Sequence, residues 1–198
     1  MRPRVLICDL GNVLVRFDHA PAWNRIDGAC ATGVGTFERV CTESGFHRGA
    51  VNGRGLYDQL VRECGLALSW TAFCSAWCDI FVEDREVVRL AREAKVEYRV
   101  LLSNTNQLHW DHIRGTYPHV IAMFDRCVVS HECGLEKPDP AIFRLALIAG
   151  IPAEQHLFVD DIASYVEGAR EVGIQAFQHR DAAALEHEFR SHQWIAER

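Results

Sequence analysis

The sequence predicts a doubly wound α/β fold: a parallel sheet covered by helices on both faces, with a small helical segment inserted after its first strand. Two patterns carry this. Five short runs, "RVLIC" (4–8), "YRVLL" (98–102), "DRCVVS" (125–130), "HLFVD" (156–160) and "IQAF" (174–177), concentrate Val, Ile, Leu and Phe instead of alternating them with polar residues. Strands buried on both faces need that composition. Helical patterns separate them, and strand–helix alternation builds parallel sheets through right-handed crossovers.

Taken in order, "EVVRLAREAK" (86–95) repeats apolar residues at spacings of three and four. "PDPAIFRLALIAG" (138–150) opens with proline and ends at Gly150, the usual helix asymmetry. "ASYVEGAREVG" (163–173) also stops at a glycine. Residues 16–85 break the rhythm. They are expected to hold no strand and several short helices, among them "GLYDQLVRECG" (55–65) and "SWTAFCSAWCDIF" (69–81), the latter with Ser69 as N-cap. The expected organisation is a core of residues 1–15 and 86–198 with a helical insertion at 16–85. Its aromatic residues, Trp23, Phe46, Tyr57, Trp70, Phe73, Trp77 and Phe81, are expected mostly in its own core.

Composition narrows the function classes. A chain of 198 residues and formal charge −6 has no Lys/Arg-rich run, which argues against a nucleic-acid partner. No stretch approaches the roughly 18 apolar residues of a membrane span, and the N-terminus lacks a signal-peptide apolar region, so the expectation is cytoplasmic. The eight cysteines form no C-x-x-C pair and read as buried apolar residues. A monomer or weak homodimer is expected.

In an open parallel sheet, ligands collect beyond the carboxyl ends of the strands. Asp9 ends the first predicted strand, Ser103 and Asn104 the second, and Asp160 and Asp161 the fourth; Lys137 follows the third in "GLEKPDP". Singly, each is an ordinary cap or turn residue. Together they supply a nucleophilic carboxylate, further oxygen ligands for a divalent cation, a point charge and a hydroxyl. That set suits phosphoryl transfer.

The motifs "ICDLGNVLV", "LLSNTN", "GLEKPDPAIF" and "FVDDIASYVEGAREVG" resemble, in order, those of the haloacid dehalogenase (HAD) superfamily, over nearly the whole chain. The resemblance implies a Rossmann-like core with a helical cap and a Mg²⁺-dependent phosphatase acting on a small phosphate ester through an aspartyl-phosphate. Asp9 would be the nucleophile, Ser103, Asn104 and Lys137 the phosphate-binding residues, and Asp9, the Gly11 carbonyl, Asp160 and Asp161 the metal site. "DLGNVLVRFD" with "FVDD" is similar to a narrower branch, α-glucose-1-phosphate phosphatase and the phosphatase domain of soluble epoxide hydrolase. Alternatives are a metal-free dehalogenase-type hydrolase and a catalytically silent binding protein of this fold. Two departures stand out. Gly11 occupies the position of the family's general acid, and Ile162 and Tyr165 stand where polar residues are frequent. Without that acid, good leaving groups such as anomeric phosphates are expected to be favoured. Asp18 and His19 are candidate proton donors, set against plain roles as a cap and a surface histidine.

Overall fold

The computed structural model describes residues 2–32 and 35–196. β1 (Val5–Cys8) is the centre of the sheet, and β2 (Val15–Phe17) leads away into the insertion. The insertion comprises α1 (Ala20–Asp27), α2 (Thr36–Glu43), a 3-10 turn (Phe46–Arg48), α3 (Gly53–Cys64) and α4 (Trp70–Cys78). β3 (Phe81–Glu83) returns antiparallel to β2, with Phe17 opposite Phe81. The chain then runs through α5 (Arg85–Glu93), β4 (Tyr98–Ser103), α6 (Gln107–Thr116), α7 (Pro118–Ile121), β5 (Arg126–Val129) and α8 (Ser130–Cys133). It finishes with α9 (Pro140–Leu145), β6 (His156–Asp160), α10 (Ala163–Glu171), β7 (Gln175–Gln178) and α11 (Ala182–Ser191).

The large sheet has the order β5-β4-β1-β6-β7, and all its pairs are parallel. β1 is buried throughout because it has a strand on each side and helices on both faces. Its alternate side chains divide between two cores. Leu6 and Cys8 join Val87, Leu90, Leu185, Phe189 and Trp194, contributed by α5, α11 and the C-terminal segment. Val5 and Ile7 join Ile142, Phe143 and Ala169 from α9 and α10. The insertion has a separate apolar cluster that includes Ile26, Phe37, Phe46, Leu56, Phe73 and Trp77, as its aromatic content leads one to expect.

Two expectations need correction. The insertion does hold strand, since the β2–β3 ribbon carries its entry and exit; runs of three residues are too short to show a period of two. The helix expected to reach Gly150 ends at Leu145. There the Ile148 N–H, which a longer helix would direct to Arg144, donates to Nε2 of buried His156 (3.0 Å). Ser69 caps α4 as expected, its hydroxyl accepting from Ala72 N–H (3.2 Å).

Hydrogen bonds seat the insertion against the carboxyl end of the sheet. The His47 carbonyl accepts from Ser130 Oγ (2.7 Å). Gly53 N–H donates to Gln107 Oε1 (2.9 Å), and Trp77 Nε1 donates to Asn106 Oδ1 (3.4 Å). Gly49 makes this approach possible: its φ of +71° is left-handed, and a Cβ there would lie 2.0 Å from the His131 carbonyl oxygen.

Candidate active site

The strand ends deliver the expected residues to one place. Asp9 follows β1 directly, and its N–H donates to the Val159 carbonyl (2.9 Å), so β6 fixes it before the chain turns away. Ser103 is the last residue of β4 and Asp160 the last of β6; Lys137 arrives on the loop between α8 and α9. All four are buried. Lys137 Nζ donates to Asp9 Oδ1 (2.7 Å) and to Asp160 Oδ2 (2.6 Å). The other Asp160 oxygen accepts from Ile162 N–H (2.8 Å), so Asp160 ties the lysine to the start of α10.

Burial disfavours the charged lysine, but Asp9 and Asp160 outweigh it and hold the Lys137 ammonium above its ordinary pKa. Burial first, then the Asp9 charge, pushes the Asp160 carboxyl up to about 7 despite Lys137. Asp161 is raised for the same two reasons. Oxygens of Asp9, Asp160 and Asp161 lie within 4.8 Å of one another. Ionised, three carboxylates facing one ammonium leave two negative charges in a poorly hydrated site. A divalent cation that prefers oxygen ligands fits that donor set, as Mg²⁺ does.

Asn104 lines the cavity, and its side chain also supports Lys137. Its Oδ1 accepts from Lys137 N–H (2.8 Å), and its Nδ2 donates to the Lys137 carbonyl (3.0 Å) and to the Tyr165 hydroxyl (3.2 Å). The side chain therefore clamps the lysine loop and has no amide group left for a ligand. Tyr165, an outlier by sequence pattern, belongs to this support; Lys137 Nζ lies 5.0 Å from its ring centroid.

A cavity of about 220 Å³ opens above these groups. Asp9, Gly11, Ser103, Lys137 and Asp161 line its floor, while Phe17, His19, His47, Phe81 and His109 line it from the insertion, its ribbon and α6. Of the two candidate donors, only His19 lines this cavity. Asp18 is exposed and accepts from Ala20 N–H (2.9 Å) at the start of α1, the plain role weighed for it. His47, His109, Phe17 and Phe81 were not assigned to the site from sequence. His109 had a local signal, three residues after the Asn106 cap; His47 had none, because only the fold of the insertion brings it here.

The space at Gly11 is filled. A Cβ on Gly11 would lie 2.5 Å from Phe17 Cε1, so the Phe17 ring stands where a side chain at position 11 would begin. His109 is neutral, pushed down to about 3 by burial; Asn106 Nδ2 lies 3.0 Å from its Nδ1 and the Trp77 carbonyl 3.1 Å from its Nε2. Both of its ring nitrogens are thereby occupied.

The sheet order and the insertion after β1 coincide with a fold seen in solved structures. A HAD family enzyme from Bacteroides thetaiotaomicron, in its magnesium complex, superposes with a TM-score of 0.83 at 24% identity, covering 96% of this chain and 100% of that one. The chain therefore has a HAD-like fold. A predicted HAD-like hydrolase from Porphyromonas gingivalis gives a TM-score of 0.76 at 22% identity, over 90% of this chain and 91% of that one. An L-2-haloacid dehalogenase from Xanthobacter autotrophicus is more distant, with a TM-score of 0.60 at 17% identity over 96% and 83% of the two chains. In sequence, D-ribitol-5-phosphate phosphatase of Bacteroides thetaiotaomicron is 27% identical over 90% of this chain and 92% of its own length. No family model matches the chain. Among the described residues, no helix is long and apolar enough to cross a membrane.

Proposed function

We infer that this chain is a Mg²⁺-dependent phosphatase of small phosphorylated metabolites, with Asp9 as nucleophile. The observation that carries the reading is the buried Asp9–Lys137–Asp160 bridge beside Asp161 and Ser103, at the ends of parallel strands. Asp9 is held by backbone at the cavity floor, with an oxygen able to attack phosphorus in line. Lys137 and Ser103 are positioned to hold phosphate oxygens, a charge–charge contact and a hydrogen bond that strengthen as negative charge builds on the phosphoryl group. Asp9 and Asp161, with the Gly11 carbonyl, would hold Mg²⁺, while Asp160 orients Lys137; bound there, the cation supplies neutralisation of phosphate charge.

In the first half-reaction the Asp9 carboxylate displaces the leaving oxygen and forms an aspartyl-phosphate. Water then cleaves the acyl phosphate and regenerates Asp9. The insertion at 16–85 acts as a cap that covers this chemistry, and 1–15 with 86–198 forms the catalytic core. A chain acting as a monomer or weak homodimer in the cytoplasm completes the reading.

A sugar phosphate or sugar-alcohol phosphate is the favoured substrate class. The cavity accommodates a small polyol, and the curated relative is named for ribitol 5-phosphate. The narrower glucose-1-phosphate-type branch, suggested by "DLGNVLVRFD", belongs to the same class. A metal-free dehalogenase fits less well, because its chemistry leaves the charge of Asp161 beside Asp9 without a counter-ion.

The test is phosphate release from p-nitrophenyl phosphate, α-glucose-1-phosphate and ribitol 5-phosphate, in Mg²⁺ or EDTA. Metal-dependent turnover that falls at least about 10³-fold in Asp9→Asn is expected, since the nucleophile is removed while the fold is kept. Equal activity in the variant, or none in the wild type on any ester, rejects the reading.

A further inference from the structure

A phosphatase that cleaves an alkyl ester must protonate the leaving oxygen, and the position two residues after Asp9 cannot do so. The Phe17 ring already fills the space beside Gly11. The remaining titratable groups lining the cavity are Asp9, His19, His47, His109, Lys137, Asp161 and Tyr165. Asp9, Lys137 and Asp161 belong to the attack on phosphorus. His109 has both nitrogens occupied, and the Tyr165 hydroxyl, bonded to Asn104, lies among the supports of Lys137. His19 and His47 remain. His19 packs on the vacated position: its ring centroid is 4.7 Å from that of Phe17, the ring that occupies the Gly11 space. Stacking on His109 at 5.8 Å and packing against Trp23 fix its plane.

We propose that His19 is the proton donor to the leaving-group oxygen and the base for the following hydrolysis. This assignment rests on the phosphatase reading and gives it a substrate range that includes alkyl phosphates. In the first step Asp9 forms its bond to phosphorus, the bond from phosphorus to the ester oxygen breaks, and that oxygen leaves with its electron pair. It takes the proton of the His19 imidazolium, giving the alcohol and a neutral imidazole. In the second step water attacks phosphorus, neutral His19 takes its proton, and the bond to Asp9 breaks. The products are inorganic phosphate, the Asp9 carboxylate and the imidazolium with which the cycle began.

The groups around His19 suit this cycle. Burial and the neighbouring His47 lower its proton affinity, and Asp18 raises it. A phosphate dianion entering the cavity adds negative charge close by, which favours the imidazolium when substrate is bound.

The experiment measures kcat/KM and kcat with Mg²⁺ over a series of aryl phosphates of decreasing leaving-group acidity, starting at p-nitrophenyl phosphate and extended to ribitol 5-phosphate. Wild type is compared with His19→Asn, His19→Gln and His47→Asn, with thermal melts to verify folding. At least one His19 variant is expected to melt like wild type. Its kcat/KM, which reports the step that expels the leaving group, should fall less than about 3-fold on p-nitrophenyl phosphate and about 10²-fold or more on the poorest leaving groups, the range for general-acid loss. Its dependence of log kcat/KM on leaving-group pKa should be steeper than that of wild type, while its kcat falls on every ester because hydrolysis of the aspartyl-phosphate has lost its base. A uniform loss of kcat/KM across the series in a folded His19 variant, no loss, or a selective loss confined to His47→Asn overturns the assignment. So does a wild type that cleaves aryl esters but no alkyl ester, which leaves the phosphatase reading standing; a wild type that cleaves no ester at all rejects both.

Discussion

Phe17 and Gly11 form one packing unit, and neither can be changed alone without consequence. A Cβ at position 11 would meet Phe17 Cε1 at 2.5 Å, inside van der Waals contact, while Phe17 is itself wedged against His19 and Phe81. Gly11→Asp is therefore expected to lose about 1–3 kcal/mol by overpacking. Phe17→Ala opens the space, so the double variant should be more stable than the sum of the two single effects by about 0.5–3 kcal/mol. Chemical denaturation of the four proteins in this cycle reads the coupling. Additive losses would mean that the ring moves aside freely and that position 11 is not blocked.

α6 shows how much of the site was legible and where legibility stopped. The strand ends could be read because buried parallel strands are continuous apolar runs and their terminal polar residues are conspicuous; Asp9, Ser103, Lys137, Asp160 and Asp161 were found in that way. Their division of labour could not be read. Asn104 and Asp160 stand at the site by position, and only the structure shows that their side chains also hold Lys137. His47 and Phe17 reach the cavity only through packing of the insertion, and no periodicity encodes that. Asn106 is the element-scale counterpart. It caps α6 by accepting from His109 N–H (3.1 Å), accepts from Trp77 Nε1 of α4, and donates toward His109 Nδ1. Asn106→Ala removes a cap worth about 1 kcal/mol and leaves buried Trp77 and His109 groups unpaired, for a total loss of about 2–4 kcal/mol. Urea unfolding decides this, and a loss below about 1 kcal/mol in Asn106→Ala would show that the insertion does not depend on this residue.

Across the whole molecule, the fold concentrates its electrostatic cost at one end of the sheet. The three cores are apolar and close-packed, while the carboxyl ends of β1 and β6 hold Asp9, Asp160 and Asp161 against a single lysine. Like charges at such short range destabilise the metal-free protein, and a bound divalent cation removes that repulsion. Ligand linkage then requires Mg²⁺ to raise stability by RT ln(1 + [Mg²⁺]/Kd), about 2.7 kcal/mol at a hundredfold excess over Kd, and EDTA to reverse it. Asp161→Asn separates the two contributions. Removing one carboxylate relieves repulsion with Asp9, so in EDTA the variant should melt above wild type; having lost a proposed metal ligand, it should gain little from millimolar Mg²⁺. The two melting curves are thus expected to change order between EDTA and Mg²⁺, with wild type the more stable only when metal is present. If Asp161→Asn were instead less stable in both conditions, Asp161 would be contributing a structural bond to the apoprotein, and the argument that this site is held strained for a cation would fail.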